Sequence, residues 1–134
     1  MKGTYEDTDS GFPRPLLRAR FRNPHNQTNS IERRCIVDTG MSACGLPEPL
    51  IKKQLRLKYP TRGLTEDADG EFTERREWMA LIELLDFESR RLEKTCGKVK
   101  VVGLGDEAHP ILGRNVLNQF VVTLNGPELV CEIA

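Results

Sequence analysis

The sequence predicts a small, mainly β domain, and three observations point to this fold class. Apolar residues alternate with arginines over 16–22, which is typical of a strand with one face buried and the other in solvent. The turn-forming run NPHNQTNS (23–30) follows, and IERRCIVD then resumes the strand pattern, so residues 14–38 predict a β-hairpin. Further along the chain, the valine-rich run VKVVGL (99–104) predicts another strand.

The segments around this hairpin are predicted from their turn and helix signals. Residues 1–12 are polar and predict a mobile N-terminal arm, with residues 13–134 forming a single domain. A short helical stretch bounded by prolines is expected around 48–57. A second hairpin follows, with Asp67 opening and Gly70 closing its turn.

The end of the chain predicts one short helix followed by two strands. GRNVLNQF (113–120) has the pattern of one or two helical turns. The strand VVTL, the turn NGP and the final strand ELVCEI come after it. The expected fold is therefore mainly β with one short C-terminal helix.

Residues 73–94 fit two different structures. Helical spacing (i, i+3, i+4, i+7) is shown by Trp78, Leu81, Ile82 and Leu85. Strand spacing is shown by Trp78, Ala80, Ile82 and Leu84. The segment is also rich in helix-forming residues, so the local pattern alone favours a helix, and both structures stay open at this point.

The composition is that of a globular domain without a strong charge. The 134 residues are 38% apolar and 30% charged, and the formal net charge is zero. Neither nucleic acid nor a membrane is expected as a partner, because the arginines over 14–34 have no aromatic stacking platform and the chain has no global charge. No apolar run approaches the ~20 residues of a membrane-spanning helix, and the acidic start MKGTYEDTDS does not resemble a secretory signal.

The cysteines and histidines do not have the spacing of a metal site. Cysteines stand at positions 35, 44, 96 and 131 without a CxxC pair, and His25 and His109 lie far apart in sequence. We expect buried, reduced thiols in a cytoplasmic protein, with no metal and no cofactor.

One short motif carries a chemical signal. In CIVDTG (35–40), Asp38 directly follows three apolar residues, where an acidic side chain is costly to bury without compensation. Asp38 either starts a turn at the end of a strand or is held rigidly at the floor of a cleft. A second motif, PILGRNVL (110–117), joins apolar residues and a glycine to a short helix. DTG alone is a weak signal, but DTG followed by ILGRN is much more specific.

Together these motifs resemble the retropepsin-like aspartic proteases, the single-domain relatives of pepsin. The likeness runs from about residue 15 to residue 133 and follows the order of that family: an N-terminal hairpin, DTG, a flap hairpin, ILG followed by Arg-Asn, and a C-terminal strand. The resemblance implies a small closed β-barrel-like subunit and favours a strand over 73–94. It also implies an aspartic endopeptidase that hydrolyses peptide bonds.

The resemblance implies that Asp38, Thr39 and Gly40 are catalytic residues. An aspartic protease needs two carboxylates that share one proton, so that one activates a water and the other donates to the substrate carbonyl. Since the chain has a single DTG, the second carboxylate would come from Asp38 of another copy in a two-fold homodimer. Thr39 would hydrogen-bond across the axis, and Gly40 would let a substrate backbone come close.

The resemblance also assigns residues around the catalytic loop. Asp69 and Gly70 would lie at the flap tip and bind an extended peptide through backbone hydrogen bonds, with an ordinary exposed turn as the alternative. Ile111 would line a substrate side-chain pocket, with plain core as the alternative. Arg114 and Asn115 would brace the dimer or the catalytic loop.

The final strand is the candidate for a sheet between subunits. The resemblance implies that chain ends pair across the dimer, and an edge strand readily accepts a partner. The residues expected on one face of this strand are Leu129, Cys131 and Ile133.

The chain departs from the family in two residues beside the motif and in its charge-rich flap. Met41 follows DTG where a small residue is usual, and Ser42 stands where many members carry the acid that pairs with the helix arginine. An alternative from a different class is therefore a dimeric module of the same fold that binds peptides or a partner protein without cutting them. The intact DTG favours the enzyme, because a pure binding module has no chemical need for Asp38.

Overall fold

The computed structural model describes residues 1–8, 11–66 and 69–134, and strands dominate this part of the chain. The strands are β1 (Lys2–Asp7), β2 (Pro13–Arg22), β3 (Ser30–Val37), β4 (Cys44–Pro47), β5 (Thr61–Glu66), β6 (Phe72–Leu85), β7 (Leu92–Leu104), β8 (Ile111–Leu112), β9 (Val122–Asn125) and β10 (Val130–Ile133). A π-helical turn over Leu50–Gln54 and the short helix α1 (Arg114–Leu117) add helical structure. The mainly β class with a short helix near the C-terminus is confirmed.

The strands form one sheet whose central part is a partly closed ring. Their order is β5-β6-β7-β4-β8-β3-β2-β1-β10-β9, and β6 also pairs with β2. The strands from β6 to β2 in this order therefore make up the ring, with β5 at one end of the sheet and β9 at the other. Closure is partial because β2 pairs with β6 only over residues 81–85 of β6.

The hairpin predicted over 14–38 is confirmed. β2 and β3 pair antiparallel from Leu16 opposite Ile36 to Arg22 opposite Ser30. The apolar face of β2 is completely buried, whereas its arginines lie on the opposite face, as the alternating pattern predicts. This hairpin forms the frame from which β3 delivers Asp38.

Residues 73–94 form parts of two long strands and not a helix, so the structure favoured by the local pattern is wrong. β6 pairs with β7 along one edge and with β5 and then β2 along the other. All four side chains that show strand spacing are buried on one face of β6: Trp78, Ala80, Ile82 and Leu84. Burial of this face together with two ladders of backbone hydrogen bonds outweighs the helix propensity of the segment.

The polar N-terminal residues form a strand where the sequence predicted a mobile arm. β1 pairs with β2 on one side and with β10 on the other. Gly3 lies so close to the backbone of Leu16 that any side chain at this position would collide with it. Composition could not predict this strand, because pairing of its backbone stabilises it more than burial of its own side chains does.

The core fills the interior of the ring and extends to the end of the sheet. Fully buried side chains come from most strands, among them Leu17, Phe21, Leu46, Ile82, Val101 and Leu112. Ile133 and Cys131 extend the same cluster from β10. In the described part of the chain, no helix is long and apolar enough to cross a membrane.

The four cysteines are buried free thiols, as predicted. Burial raises the pKa of Cys44 to about 12, with a nearby backbone N–H of Gly113 acting in the opposite direction. Burial also raises the pKa of Cys35, and it raises the pKa of both Cys96 and Cys131 to about 11. These thiols therefore stay protonated in the folded protein well above the pH at which an exposed thiol ionises.

Stability is expected to fall under alkaline conditions because of these thiols. Below an unfolded pKa of roughly 8.5 a thiol is neutral in both states, but above it the unfolded chain ionises while folded Cys44 does not until about pH 12. Between pH 7 and 10 this one thiol should lower the free energy of unfolding by about 2 kcal/mol. Urea unfolding under reducing conditions at several pH values measures the loss. Cys44→Ala should show a flatter pH dependence, and parallel curves for the two proteins would contradict this account.

Candidate active site

The DTG motif follows β3 directly and is held by β8. β8 pairs parallel with β3, with Val37 opposite Leu112, and antiparallel with β4 on its other side. β8 therefore lies between the strand that enters the DTG loop and the strand that leaves it. The backbone N–H of Asp38 continues the ladder by donating to the carbonyl of Leu112 at 3.0 Å. The backbone that carries the carboxylate is thus fixed to a central strand.

The loop folds back on the Asp38 side chain. Asp38 Oδ1 accepts a hydrogen bond from the backbone N–H of Gly40 at 2.9 Å. The backbone N–H of Met41 donates to the carbonyl of Asp38 at 3.3 Å. Asp38 is half-buried and Thr39 is exposed. The carboxylate is therefore oriented by its own loop, in a residue that is neither fully buried nor fully exposed.

Helix α1 supports the far side of the loop. The backbone N–H groups of Arg114 and Asn115 donate to the carbonyls of Met41 and Ser42 at 2.8 and 3.2 Å. Gly113 approaches the backbone of Ala43 so closely that a side chain there would collide with it. This contact explains why the second motif needs a glycine before its helix. DTG and ILGRN, far apart in sequence, thus form one packed unit.

Asn115 connects three elements from below the loop. Its Oδ1 accepts from the backbone N–H of Cys44 at 3.1 Å, and its Nδ2 donates to the carbonyl of Lys100 at 2.9 Å. The side chain therefore bridges α1, β4 and β7. An aliphatic residue at 115 would leave two backbone groups without these partners.

Arg114 pairs with Glu66, an acidic partner that the sequence did not identify. Its Nη1 donates to the carbonyl of Thr39 at 3.0 Å, and its Nη2 lies 3.3 Å from Oε2 of Glu66. Both side chains are partly exposed, so we expect the ion pair to contribute only about 0–1 kcal/mol to stability. Its role is geometric, because it joins the DTG loop to the end of β5.

Ser42 completes this connection. Its hydroxyl accepts from the backbone N–H of Glu66 at 3.2 Å, and its own backbone N–H donates to the carbonyl of Glu66 at 3.3 Å. Many of the proteases that the sequence resembles carry an acid at this position, whereas here Ser42 binds the backbone of Glu66, whose carboxylate pairs with Arg114. No local spacing marks Glu66 in the sequence, since the contact joins residues 24 positions apart.

The predicted flap is a hairpin of β5 and β6. The strands pair antiparallel from Thr61 opposite Glu77 to Glu66 opposite Phe72. Asp69 and Gly70 lie exposed in its turn, and Asp67 lies outside the described residues. Two large apolar side chains are exposed near this end of the hairpin, Leu64 (68%) and Phe72 (64%). The turn end of the hairpin is attached to the DTG loop and to α1 through Glu66, which binds Ser42 and Arg114.

Ile111 is the first of the two residues of β8 and lies opposite Ile36 on one side and Gly45 on the other. Its half-buried side chain packs against a small cluster formed by Ala43, Val102 and Leu104. This packing agrees with the alternative that Ile111 is an ordinary core residue. A role for Ile111 in a substrate pocket stays a prediction.

The final strand was predicted to pair between subunits, but in the structure it pairs with other strands of the same chain. β10 pairs with β1 on one side and with β9 on the other, so it has no free edge. Leu129 precedes β10 in a turn, with φ of 54° and a half-exposed side chain, while Cys131 and Ile133 are buried in the core. The sequence could not predict this, because the partner that covers β10 is the N-terminal strand expected to be mobile. The free edge at this end of the sheet belongs to β9.

No protein-family model matches the chain, and no curated protein matches it. Across residues 1–8, 11–66 and 69–134, no three His, Cys, Asp or Glu side chains form a group that could hold a metal ion.

Gly70→Val is expected to distort the hairpin turn. Gly70 has φ of +79°, and a β-branched side chain in this left-handed region costs about 1–2 kcal/mol even though open space surrounds it. Gly105→Val is the matched control, because Gly105 also lies in open space but its φ is outside the left-handed range. Thermal unfolding and NMR shifts in β5 and β6 measure the difference. Equal effects of the two substitutions would contradict the role given to this turn.

Proposed function

We propose that the protein is a retropepsin-like aspartic endopeptidase that works as a homodimer. The observation that carries the proposal is the position of Asp38, half-buried at the end of a core strand. Its loop is held by β8, by the N-terminus of α1 and by Arg114. Only a rigidly held carboxylate can meet a second one at a fixed separation, and such a pair is what peptide hydrolysis by an activated water requires.

The mechanism follows from a pair of carboxylates that shares one proton. The ionised Asp38 takes a proton from a water as the water attacks the scissile carbonyl, and the protonated Asp38 of the second copy donates to the carbonyl oxygen. The proton taken from water then passes from the first Asp38 to the amine nitrogen as the C–N bond breaks, and a hydroxyl of the gem-diol intermediate returns a proton to the second Asp38. Gly40 leaves space beside the dyad for the substrate backbone, and the reaction consumes only water and peptide.

The homodimer is proposed because each chain supplies one DTG. With β10 paired on both sides, β9 is the free edge at the C-terminal end of the sheet, and we propose it as the edge that pairs two copies. Val121 and Leu124 are exposed along this edge. Two-fold pairing of β9 with its mate would extend the sheet across the dimer and cover these side chains.

Met41, the unusual residue after DTG, supports the catalytic proposal. Its side chain is buried, with only 6% exposed. It therefore does not project into solvent from the DTG loop, so the departure from a small residue here does not count against catalysis. The exposed apolar residues Leu64 and Phe72 of the hairpin provide a surface suited to an extended peptide.

Digestion of a peptide library by the purified protein tests the proposal. We expect cleavage that a chelator does not affect and that a peptide analogue with a central hydroxyl group inhibits, because the hydroxyl mimics the attacked carbonyl. Saturable binding of peptides without cleavage at any pH between 4 and 8 would instead support the non-catalytic module.

A further inference from the structure

A large cavity lies away from the DTG loop. It has a volume of about 700 Å³, within the range of small-molecule sites, and Asp38 does not line it. β6 changes partners here: Glu77 pairs with Thr61 of β5, and the next partner on that edge is Arg22, opposite Leu81. The cavity therefore occupies the place where the ring is incomplete, between the loops 23–29 and 56–61.

A buried asparagine fixes both loops that wall the cavity. Asn23 Nδ2 donates to the carbonyls of Leu55 and Arg56 at 2.9 and 3.3 Å. Asn23 Oδ1 accepts from the backbone N–H groups of His25 and Asn26 at 2.8 and 3.2 Å. Two of these hydrogen bonds join the loop 23–29 to residues 55 and 56, and the other two hold the loop 23–29 itself, so the walls of the cavity are preformed.

The charges around the cavity are mostly positive. The lining includes Arg56, Lys58 and Lys98, and none of the three forms an ion pair with any described residue. The acid of the lining, Glu77, is already paired, with Oε2 2.8 Å from Lys100 Nζ. Three basic side chains without an ion-pair partner, beside one acid that is already paired, favour binding of an anionic ligand.

The cavity also offers apolar and strained groups. Trp78 is 4% exposed, lines the cavity, and has a buried indole N–H without an acceptor among the described residues. Tyr59 at the rim is 91% exposed. Arg56 and Tyr59 adopt left-handed φ values of 54° and 57°, a strain that is common where backbone is held for a ligand.

We propose that this cavity binds an aromatic organic anion, with its carboxylate or phosphate held by Arg56, Lys58 and Lys98 and its ring against Tyr59 and Trp78. The basic groups account for the charge of the ligand, and the aromatic groups account for its planar body. The site is separate from the proposed peptidase site.

Titration of the folded protein with three related probes tests this inference. The probes are 2-naphthoate, 2-naphthyl phosphate and the neutral 2-naphthamide, followed by calorimetry and by the ¹H–¹⁵N signal of the single tryptophan indole. We expect saturable binding of at least one anion with a dissociation constant below about 1 mM, a shift of the Trp78 signal, and binding of the amide at least about 10-fold weaker. The anion that binds more tightly identifies the preferred charged group.

Variants locate the site. Lys58→Gln and Lys98→Gln should each weaken anion binding at least about 3-fold, whereas Lys53→Gln, an exposed lysine outside the cavity, should leave it unchanged. Asp38→Asn should also bind normally, which separates this inference from the peptidase proposal. Equal affinity for the neutral amide, no anion binding at about 1 mM, an equal effect of Lys53→Gln, or loss of binding in Asp38→Asn would each overturn it.

Discussion

Asp38→Asn is expected to abolish peptide hydrolysis, with a fall in rate of at least about 1,000-fold. The amide is isosteric but can neither accept the proton of the attacking water nor share a proton with its mate. Its oxygen can still accept the hydrogen bond from Gly40 that orients the side chain. We therefore expect the melting temperature and the state of association to stay close to those of the wild type. Hydrolysis assays, thermal unfolding and sedimentation measure the three quantities.

Asp106→Asn provides the matched control, since it makes the same chemical change on an exposed turn after β7. Its hydrolysis rate should equal that of the wild type. If Asp38→Asn cleaved peptides at a comparable rate, the catalytic assignment of Asp38 would be wrong.

Mixing of subunits extends the same experiment. When excess Asp38→Asn chain is equilibrated with wild type, nearly every wild-type subunit enters a dimer that holds one competent carboxylate. Hydrolysis per wild-type chain should then collapse. Unchanged activity after verified subunit exchange would mean that each chain carries a complete site.

Leu124→Asp is expected to yield a folded monomer without hydrolytic activity. Leu124 lies on β9, the free edge of the sheet, and its side chain is 46% exposed, so the substitution should change stability little. In a two-fold pairing of β9 with its mate, however, two aspartates would be brought together and desolvated, which costs several kcal/mol. Sedimentation and hydrolysis assays across a range of protein concentrations measure the effect.

Leu92→Asp is the control for this substitution, because Leu92 is similarly exposed (53%) but lies at the start of β7. It should leave association unchanged. A dimeric, active Leu124→Asp protein would exclude the β9 edge as the interface. Removal of β10 is not an equivalent test, since it would take buried Cys131 and Ile133 out of the core and unfold the chain.

Local sequence patterns predicted those parts of the fold that are determined by residues close together in the chain. The β2–β3 hairpin follows from the alternation over 16–22 and from the turn residues after it, and α1 follows from the residues after Gly113. The DTG and ILGRN motifs predicted the segments that meet at the candidate site, because each joins a core strand to a tight turn.

The features that sequence did not predict all depend on distant partners. β6 has a helical pattern, and only its pairing with β7, β5 and β2 makes it a strand. β1 has little apolar content, and pairing with β2 and β10 orders it. Glu66 has no spacing relation to Arg114 that a sequence motif could express.

The pairing of Arg114 with Glu66 has a consequence for the order of folding. The ion pair spans 48 positions of the chain, and the bond from Arg114 to Thr39 spans 75. Contacts of such separation form only after the chain between them has collapsed, which makes them late events. We infer that the DTG loop gains its final geometry after the β2–β3 and β5–β6 hairpins exist and α1 has docked. On the proposed function, a chain emerging from the ribosome could not hydrolyse peptides before Arg114 and the strands that hold the DTG loop had emerged.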